Sequence, residues 1–383
     1  MIFGYDGTNI LGHGGIKTYS RDLLRGLARE FPDHEFRILT TFSGSKRRKL
    51  QSIYGSFKNV SVLNAVPHMG MLGDSLIMLT RVAAAVLWTR ACRRIDLVHI
   101  TDPFGALHLP RRFVATVHDI FPLTMGILSG RDASVYRRRA VSVLERAGAV
   151  ITPSDYVRGT LRKEFPNIQV PVTPIPEAAS ADFHPRENRP DVLNRYGLRH
   201  GEYFLFVGRI DPRKNIDVLM EARRRLPQTI RQSFPLAFVH SGRPPDIREF
   251  QEGGSTENCN VIMLRDVPQE DLYLLYSSAL AFVFPTLEEG FGLPVLEAMQ
   301  SGCPVITSGR SCLPEVTGDA ALLVDPLSPE QVAGAMVKLA SNRDFAKELK
   351  RRGLARASRF SWSRAAVETM DLYMKVLEVN GSS

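Results

Sequence analysis

The chain lacks most of what would place it outside the ordinary globular proteins. Its 383 residues hold only four cysteines, Cys92, Cys259, Cys303 and Cys312, with no Cys-x-x-Cys pair. That excludes a disulfide framework and a thiolate zinc site, and it fits a reducing cytosol. No apolar run approaches the ~18 residues a membrane-spanning helix needs, and the opening MIFGYDGTN has neither the basic start nor the apolar stretch of a secretory leader. The expectation is a cytoplasmic protein. Aspartates never occur as Asp-x-Asp and the nine histidines show no paired ligand spacing, so no metal site is expected. With 24 Pro and 29 Gly, collagen-like repeats and extended disorder are excluded as well.

What is present is enough apolar residue, 44%, for sizeable cores. The length exceeds one ordinary core and predicts two domains. Charge is uneven. Residues 1–180 carry 24 Lys and Arg against 14 Asp and Glu, whereas 181–383 carry 25 against 26, so the whole excess of +9 lies in the first half.

Short strand-like runs alternate with helical patterns throughout, which predicts an α/β chain with mainly parallel sheets. In the first half the runs are IFGYD, EFRILTT, DLVHI, FVATVHD and AVITPS. Ile16, Tyr19, Leu23 and Leu27, spaced by three and four, predict the buried face of a helix after the first run. The polar segment FHPRENRPD at 183–191 separates these from YFLFVG, LAFVHSG, VIML, ALAFVFPT, PVITS and ALLVD. Domains are therefore expected at 1–182 and 183–360.

Two segments of the second half carry chemistry. In FVFPTLEEGFGLPVLEAMQSGCPVITS, from Phe282 to Ser308, a strand leads into a glycine loop, Glu289, Gly290, Phe291, Gly292. Pro294 is expected to open a helix at its first position and Gly302 to close it. Strand, glycine loop and helix N-terminus make an anion cradle of unpaired N–H groups. In FVGRIDPRKNIDVLMEA, at 206–222, a strand ends at Gly208, Arg209 and Lys214 follow, and Asn215 is expected to cap the next helix. A guanidinium fork and a mobile ammonium together suit a diphosphate. Taken singly, each cation reads more simply as part of a solvated turn; two such segments in one domain do not. His118, at the end of a buried run, taken alone reads as a core or capping residue, and Asp119 as a cap of the following turn.

EGFGLPVLE, with Glu289 and Glu297 at its ends, resembles the Glu-seven-residues-Glu motif of retaining glycosyltransferases of the GT-B fold, family four in particular. GRIDPRKN resembles that family's phosphate-binding turn, GHGGIKTYSRDLLRGL at 12–27 its N-terminal glycine loop and helix, and VHDIFP at 117–122 its acceptor-side His-Asp segment. Four segments in the right order cover nearly the whole chain. The resemblance implies two doubly wound Rossmann-like domains facing a central cleft, the first offering the acceptor surface and the second binding a nucleotide sugar. It implies also a C-terminal helix at 361–379 returning to the first domain.

By the same resemblance, Arg209 and Lys214 would hold the nucleotide diphosphate, with Gly208 and Val267 beside the nucleotide. Glu297 would bond the ribose and Glu289 the donor sugar. Gly290 and the backbone of Phe291, Gly292 and Leu293 would line the sugar and phosphate, while Gly14 and Gly15 would approach the phosphate. His118 would lie beside donor sugar and acceptor. Glu289, His118, Arg209 and Lys214 are thus the catalytic candidates. Sugar transfer passes through an oxocarbenium-like state while the phosphate gains negative charge, so fixed cations at the diphosphate favour the transition state over the ground state. Retention by a front-face route, without metal or cofactor, is the implied mechanism. SCLPEVTGDAALLVDP at 311–326 resembles a loop of mannosyl and rhamnosyl enzymes, which favours GDP-mannose as donor and a glycan or lipid-linked saccharide as acceptor. One departure stands out: PEAASADF at 176–183 replaces the family's Asn-Gly-Val-Asp stretch.

The basic clusters KRRK at 46–49, RR at 93–94 and 111–112, and RRR at 137–139 read by default as solvated faces. The alternative is an anionic bilayer surface; the apolar stretch 76–94, whose Arg81 and Arg90 fall on opposite sides of a helical wheel, reads equally as an interfacial segment and as a partly buried helix. Nucleic acid is not expected, because no aromatic residues interleave the basic runs. The rival readings are a nucleotide-sugar epimerase of the same fold and a non-catalytic sugar or nucleic-acid binding protein.

Overall fold

The computed structural model describes residues 1–12, 14–40, 44–64, 93–104, 109–240 and 260–381. His13, Cys92, Cys259, the end of LAFVHSG and the stretch 76–94 up to Cys92 lie outside the described residues. The chain divides into two compact units, Met1–Ala178 with Ser361–Ser383, and Ala179–Phe360. The second thus begins at Ala179, rather than at the expected 183.

In the first unit a seven-stranded sheet is built from β1 (Ile2–Asp6), β2 (Glu35–Thr40), β3 (Val60–Asn64), β4 (Leu97–Ile100), β5 (Phe113–Thr116), β6 (Ala149–Thr152) and β7 (Val172–Pro174). Its order is β3-β2-β1-β4-β5-β6-β7, and every pairing is parallel. The strand runs read from the sequence recover five of these. β3 and β7 were not among them: VSVLN is broken by a serine and an asparagine, and VTP is three residues long and ends in proline.

The Gly14–Glu30 helix buries Tyr19, Leu23, Leu24 and Leu27 on this sheet, whereas Ile16 stays half-buried. Full burial of each leucine contributes about 1.5–3 kcal/mol. The C-terminal helix, Trp362–Gly381, packs beside it and adds Ala366, Met370 and Tyr373 to the same core. Gly26 permits that approach, since a Cβ there would stand 2.7 Å from the Trp362 carbonyl oxygen.

A six-stranded sheet forms the second unit: β8 (Phe204–Val207), β9 (Leu236–His240), β10 (Val261–Arg265), β11 (Ala281–Phe284), β12 (Val305–Ser308) and β13 (Leu322–Val324). The order β10-β9-β8-β11-β12-β13 is again wholly parallel. Central strands buried on both faces read as unbroken apolar runs, as FLFV and AFVF do. Their phenylalanines pack together, with Phe206 stacked on Phe238 at 4.5 Å and tilted against Phe284 at 5.7 Å. In each unit the first strand has its successors on one side and the fourth on the other. The topological switch points therefore fall between β1 and β4 and between β8 and β11, where sheets of this kind bind ligands at the carboxyl ends of the strands. No helix among the described residues is long and apolar enough to cross a membrane.

Candidate functional site

Both chemistry-bearing segments of the second unit emerge at its switch point. β8 runs out through Gly208 and exposed Arg209 into a 3₁₀ turn, Pro212–Lys214, which Asp211 caps by accepting from Arg213 N at 2.9 Å. Arg213 turns back to pair with Asp211 at 3.1 Å. Lys214 points the other way and is buried, its ammonium 4.7 Å over the Phe284 ring and 2.5 Å from Glu289 Oε1. The solvated turn that each cation suggested singly is therefore not what this lysine forms. Arg209 makes no ion pair with a described residue.

The two loops are sewn together by backbone. The Arg213 carbonyl accepts from Leu287 N at 2.7 Å and from Thr286 Oγ1 at 2.7 Å, and Thr286 Oγ1 also lies 3.1 Å from Glu289 Oε1. Asn215 occupies the expected cap position but not the expected role. It is left-handed, φ 54°, and its amide donates to the carbonyls of Pro285 and Pro326 at 3.0 and 2.5 Å, tying the turn to the neighbouring loops.

Beyond Glu289 the chain passes Gly290 and Phe291, the latter edge-on to Phe360, and enters the Leu293–Gln300 helix through Gly292. Gly292 has φ 86°, and a Cβ there would meet Leu313 Cδ2 at 2.5 Å, so both conformation and space demand glycine. Pro294 sits at the second helical position, because Leu293 is already helical. At the far end, Gly302 N donates to Met299 O and Cys303 N to Ala298 O, which closes the helix as expected. No described group accepts a hydrogen bond from the N–H of Phe291, Gly292 or Leu293, leaving three donors at a helix N-terminus free for an anion.

Glu297 receives the Tyr276 hydroxyl at 3.1 Å. Although part of the residue meets solvent, its carboxyl is packed among protein atoms, and that burial pushes its pKa up to about 7 against the opposing hydrogen bond. Val267 is half-buried just past β10. The buried free thiols Cys303 and Cys312 form no disulfide. Among the described residues no group of three His, Cys, Asp or Glu side chains could hold a metal ion.

In the first unit Gly14 and Gly15 open their helix in exposed positions. His118 lies two residues past β5, with Nδ1 3.0 Å from Glu177 Oε1 and Nε2 3.0 Å from the Thr101 carbonyl oxygen. Burial alone would lower its pKa. The hydrogen bond and charge of Glu177, joined by Asp119 and Asp102, outweigh burial and raise it. Asp119 Oδ1 accepts from Phe121 N at 3.4 Å and so caps the following turn. Glu177 escaped notice as a site residue, although it lies in the one stretch that departs from the family pattern. Thr286 and Tyr276 were likewise missed, since nothing local to either marks its partner.

Residues 13–182 match the family described as Glycosyltransferase Family 4, and residues 194–356 match Glycosyl transferases group 1. The chain is similar to O-antigen chain mannosyltransferase B of Escherichia coli, 34% identical over 73% of this chain and 74% of that protein. It belongs to the group 1 glycosyltransferases. This glycosyltransferase is also similar to serotype-specific mannosyltransferase WbdA of the same organism, 27% identical over 73% of its own length but spanning only 35% of that larger protein. Among solved structures it is similar to sucrose-phosphate synthase from Thermosynechococcus elongatus, with a TM-score of 0.74, 21% identity, and coverage of 99% of this chain and all of the other. The architecture is the two-domain α/β GT-B fold.

Proposed function

We propose that this glycosyltransferase moves a mannosyl group, with retention and without metal, from GDP-mannose to a growing glycan or lipid-linked saccharide of a surface polysaccharide. The observation that carries the reading is the second unit's switch point, where Lys214 and Glu289 pair beside three unspent backbone donors. The mannosyltransferase relatives supply the sugar. On binding, the diphosphate competes with Glu289 for the Lys214 ammonium and takes the N–H groups of Phe291, Gly292 and Leu293, with Arg209 closing from solvent. Glu289, released from the lysine, accepts from donor-sugar hydroxyls, and Glu297 accepts from the ribose. As the glycosidic bond lengthens, charge grows on the phosphate oxygens that these donors already face, so the transition state gains most.

The test is GDP release from GDP-mannose with and without a mannose-terminated acceptor, in the presence of a chelator. Release only with acceptor, unaffected by chelation, and an α-linked product by NMR are expected; release without acceptor, a β-linked product or loss under chelation overturns the corresponding part. Exposed basic residues on the Gly44–Tyr54 and Gly130–Arg146 helices, the latter also exposing Val135 and Val141, support docking on an anionic bilayer. Failure to float with anionic vesicles at low salt removes that part.

A further inference from the structure

Glu177 is 4% exposed and stands one residue before the first unit ends at Ala178. Its carboxylate and the Thr101 carbonyl grip opposite nitrogens of the His118 ring, each at 3.0 Å. A carbonyl oxygen can only accept, so Nε2 carries a proton. A carboxylate at Glu177 would accept likewise, placing a second proton on Nδ1 and spending both donors of the resulting imidazolium. Tyr19 stands edge-on to the ring at 4.6 Å.

We propose that Glu177 is a positioning residue of the transferase, which together with the Thr101 carbonyl holds His118 as a fixed cation that cannot accept a proton from the acceptor hydroxyl. This rests on the reading of His118 as a site residue. Asp102, beyond β4, and Asp119, the next residue in the chain, favour the cation, while His99 on β4 is held neutral by burial; Tyr136, from the Gly130–Arg146 helix, faces the same two aspartates. A cation fixed in this way can stabilise negative charge that develops beside it, because its orientation is set before reaction. Proton abstraction would require one of the two hydrogen bonds to break, which assigns deprotonation of the acceptor to another group, in keeping with the leaving phosphate.

The experiment is nitrogen-15 NMR of the histidine side chains in the full chain, His118→Gln identifying the resonance. At about pH 7.5, a unit above the ordinary histidine value, wild-type His118 should carry protons on both nitrogens, while Glu177→Gln should leave one, on Nε2. With acceptor and donor supplied, Glu177→Gln should lower kcat roughly tenfold or more with donor KM changed less than about threefold, and Glu177→Asp should recover part of the loss. A singly protonated ring in the wild type, or a doubly protonated one in Glu177→Gln, overturns the proposal, as does unaltered kcat in Glu177→Gln. The NMR result needs no turnover, so failure of the transfer reading leaves it standing and the two failures are told apart.

Discussion

At the heart of the first unit sits His99, and close to the switch point of the second sits Glu297; folding disfavours the charged form of both, and the two make opposite demands on pH. His99 is walled in by Tyr373 and Thr116, each 2.6 Å from a ring nitrogen, and burial pushes its pKa down to about 3. Glu297 is pushed up to about 7 by burial, with one hydroxyl to oppose it. The first network joins β4, β5 and the C-terminal helix and is complete without a ligand, so it serves the fold. The second retains acceptor capacity on a carboxyl that folding disfavours as an anion, in keeping with the ribose contact proposed for it.

The sharpest way to break this contrast is to acidify the first unit. Below the unfolded histidine value of about 6.5, the unfolded chain takes up a proton that folded His99 refuses until about pH 3. Stability falls through that window by up to ~5 kcal/mol at 1.36 kcal/mol per unit. Trp362 belongs to the first unit, so its fluorescence in a Trp88→Phe background reports the unfolding of that unit. An acid arm that persists unchanged in His99→Phe would sink the assignment. His118, whose pKa is raised, works in the adjoining window: its contribution is complete below 6.5 and fades as pH climbs through its folded value.

Next in size is Lys214→Ala, which removes the buried cation proposed for the diphosphate and leaves Glu289 without its lysine partner. Turnover should fall roughly 10²–10³-fold, and stability by about 3–5 kcal/mol because an uncompensated charge stays buried. The double variant Lys214→Met with Glu289→Gln separates the two effects, restoring stability but not activity. Full turnover in Lys214→Ala would remove the lysine from the mechanism.

The smallest effect lies in the second unit's own titration. Folded Glu297 holds its proton above the unfolded value near 4.5, so stability is complete below that and declines as pH rises to about 7. The decline is on the order of 1–3 kcal/mol, reduced because part of the residue meets solvent. Glu297→Gln should flatten it and raise stability at pH 8, while weakening GDP binding; a variant no more stable than wild type at pH 8 counts against the buried-carboxyl account.

Local pattern made much of this legible. The glycine turn before the Leu293–Gln300 helix could be read from residue types, because a left-handed entry and a proline near the helix start leave a signature in consecutive positions. The central strands were readable for a similar reason, being apolar without interruption. β3 and β7 were not, since edge strands have one face open and need no such run. Asn215 shows the other limit: a residue type suited to capping was placed correctly in the chain, yet its amide serves two distant carbonyls instead.

The sequence by itself determined the two-domain α/β class, the two glycine-bearing turns and the cations beside them, because each depends on residues adjacent in the chain. Tertiary structure alone decided which charges meet. Lys214 reaches Glu289 across 75 positions, and His118 reaches Glu177 across 59. For the first pair the decisive fact is strand order: β8 and β11 lie side by side only because the chain reverses its winding there, and that reversal buries both charged groups where neither could remain alone.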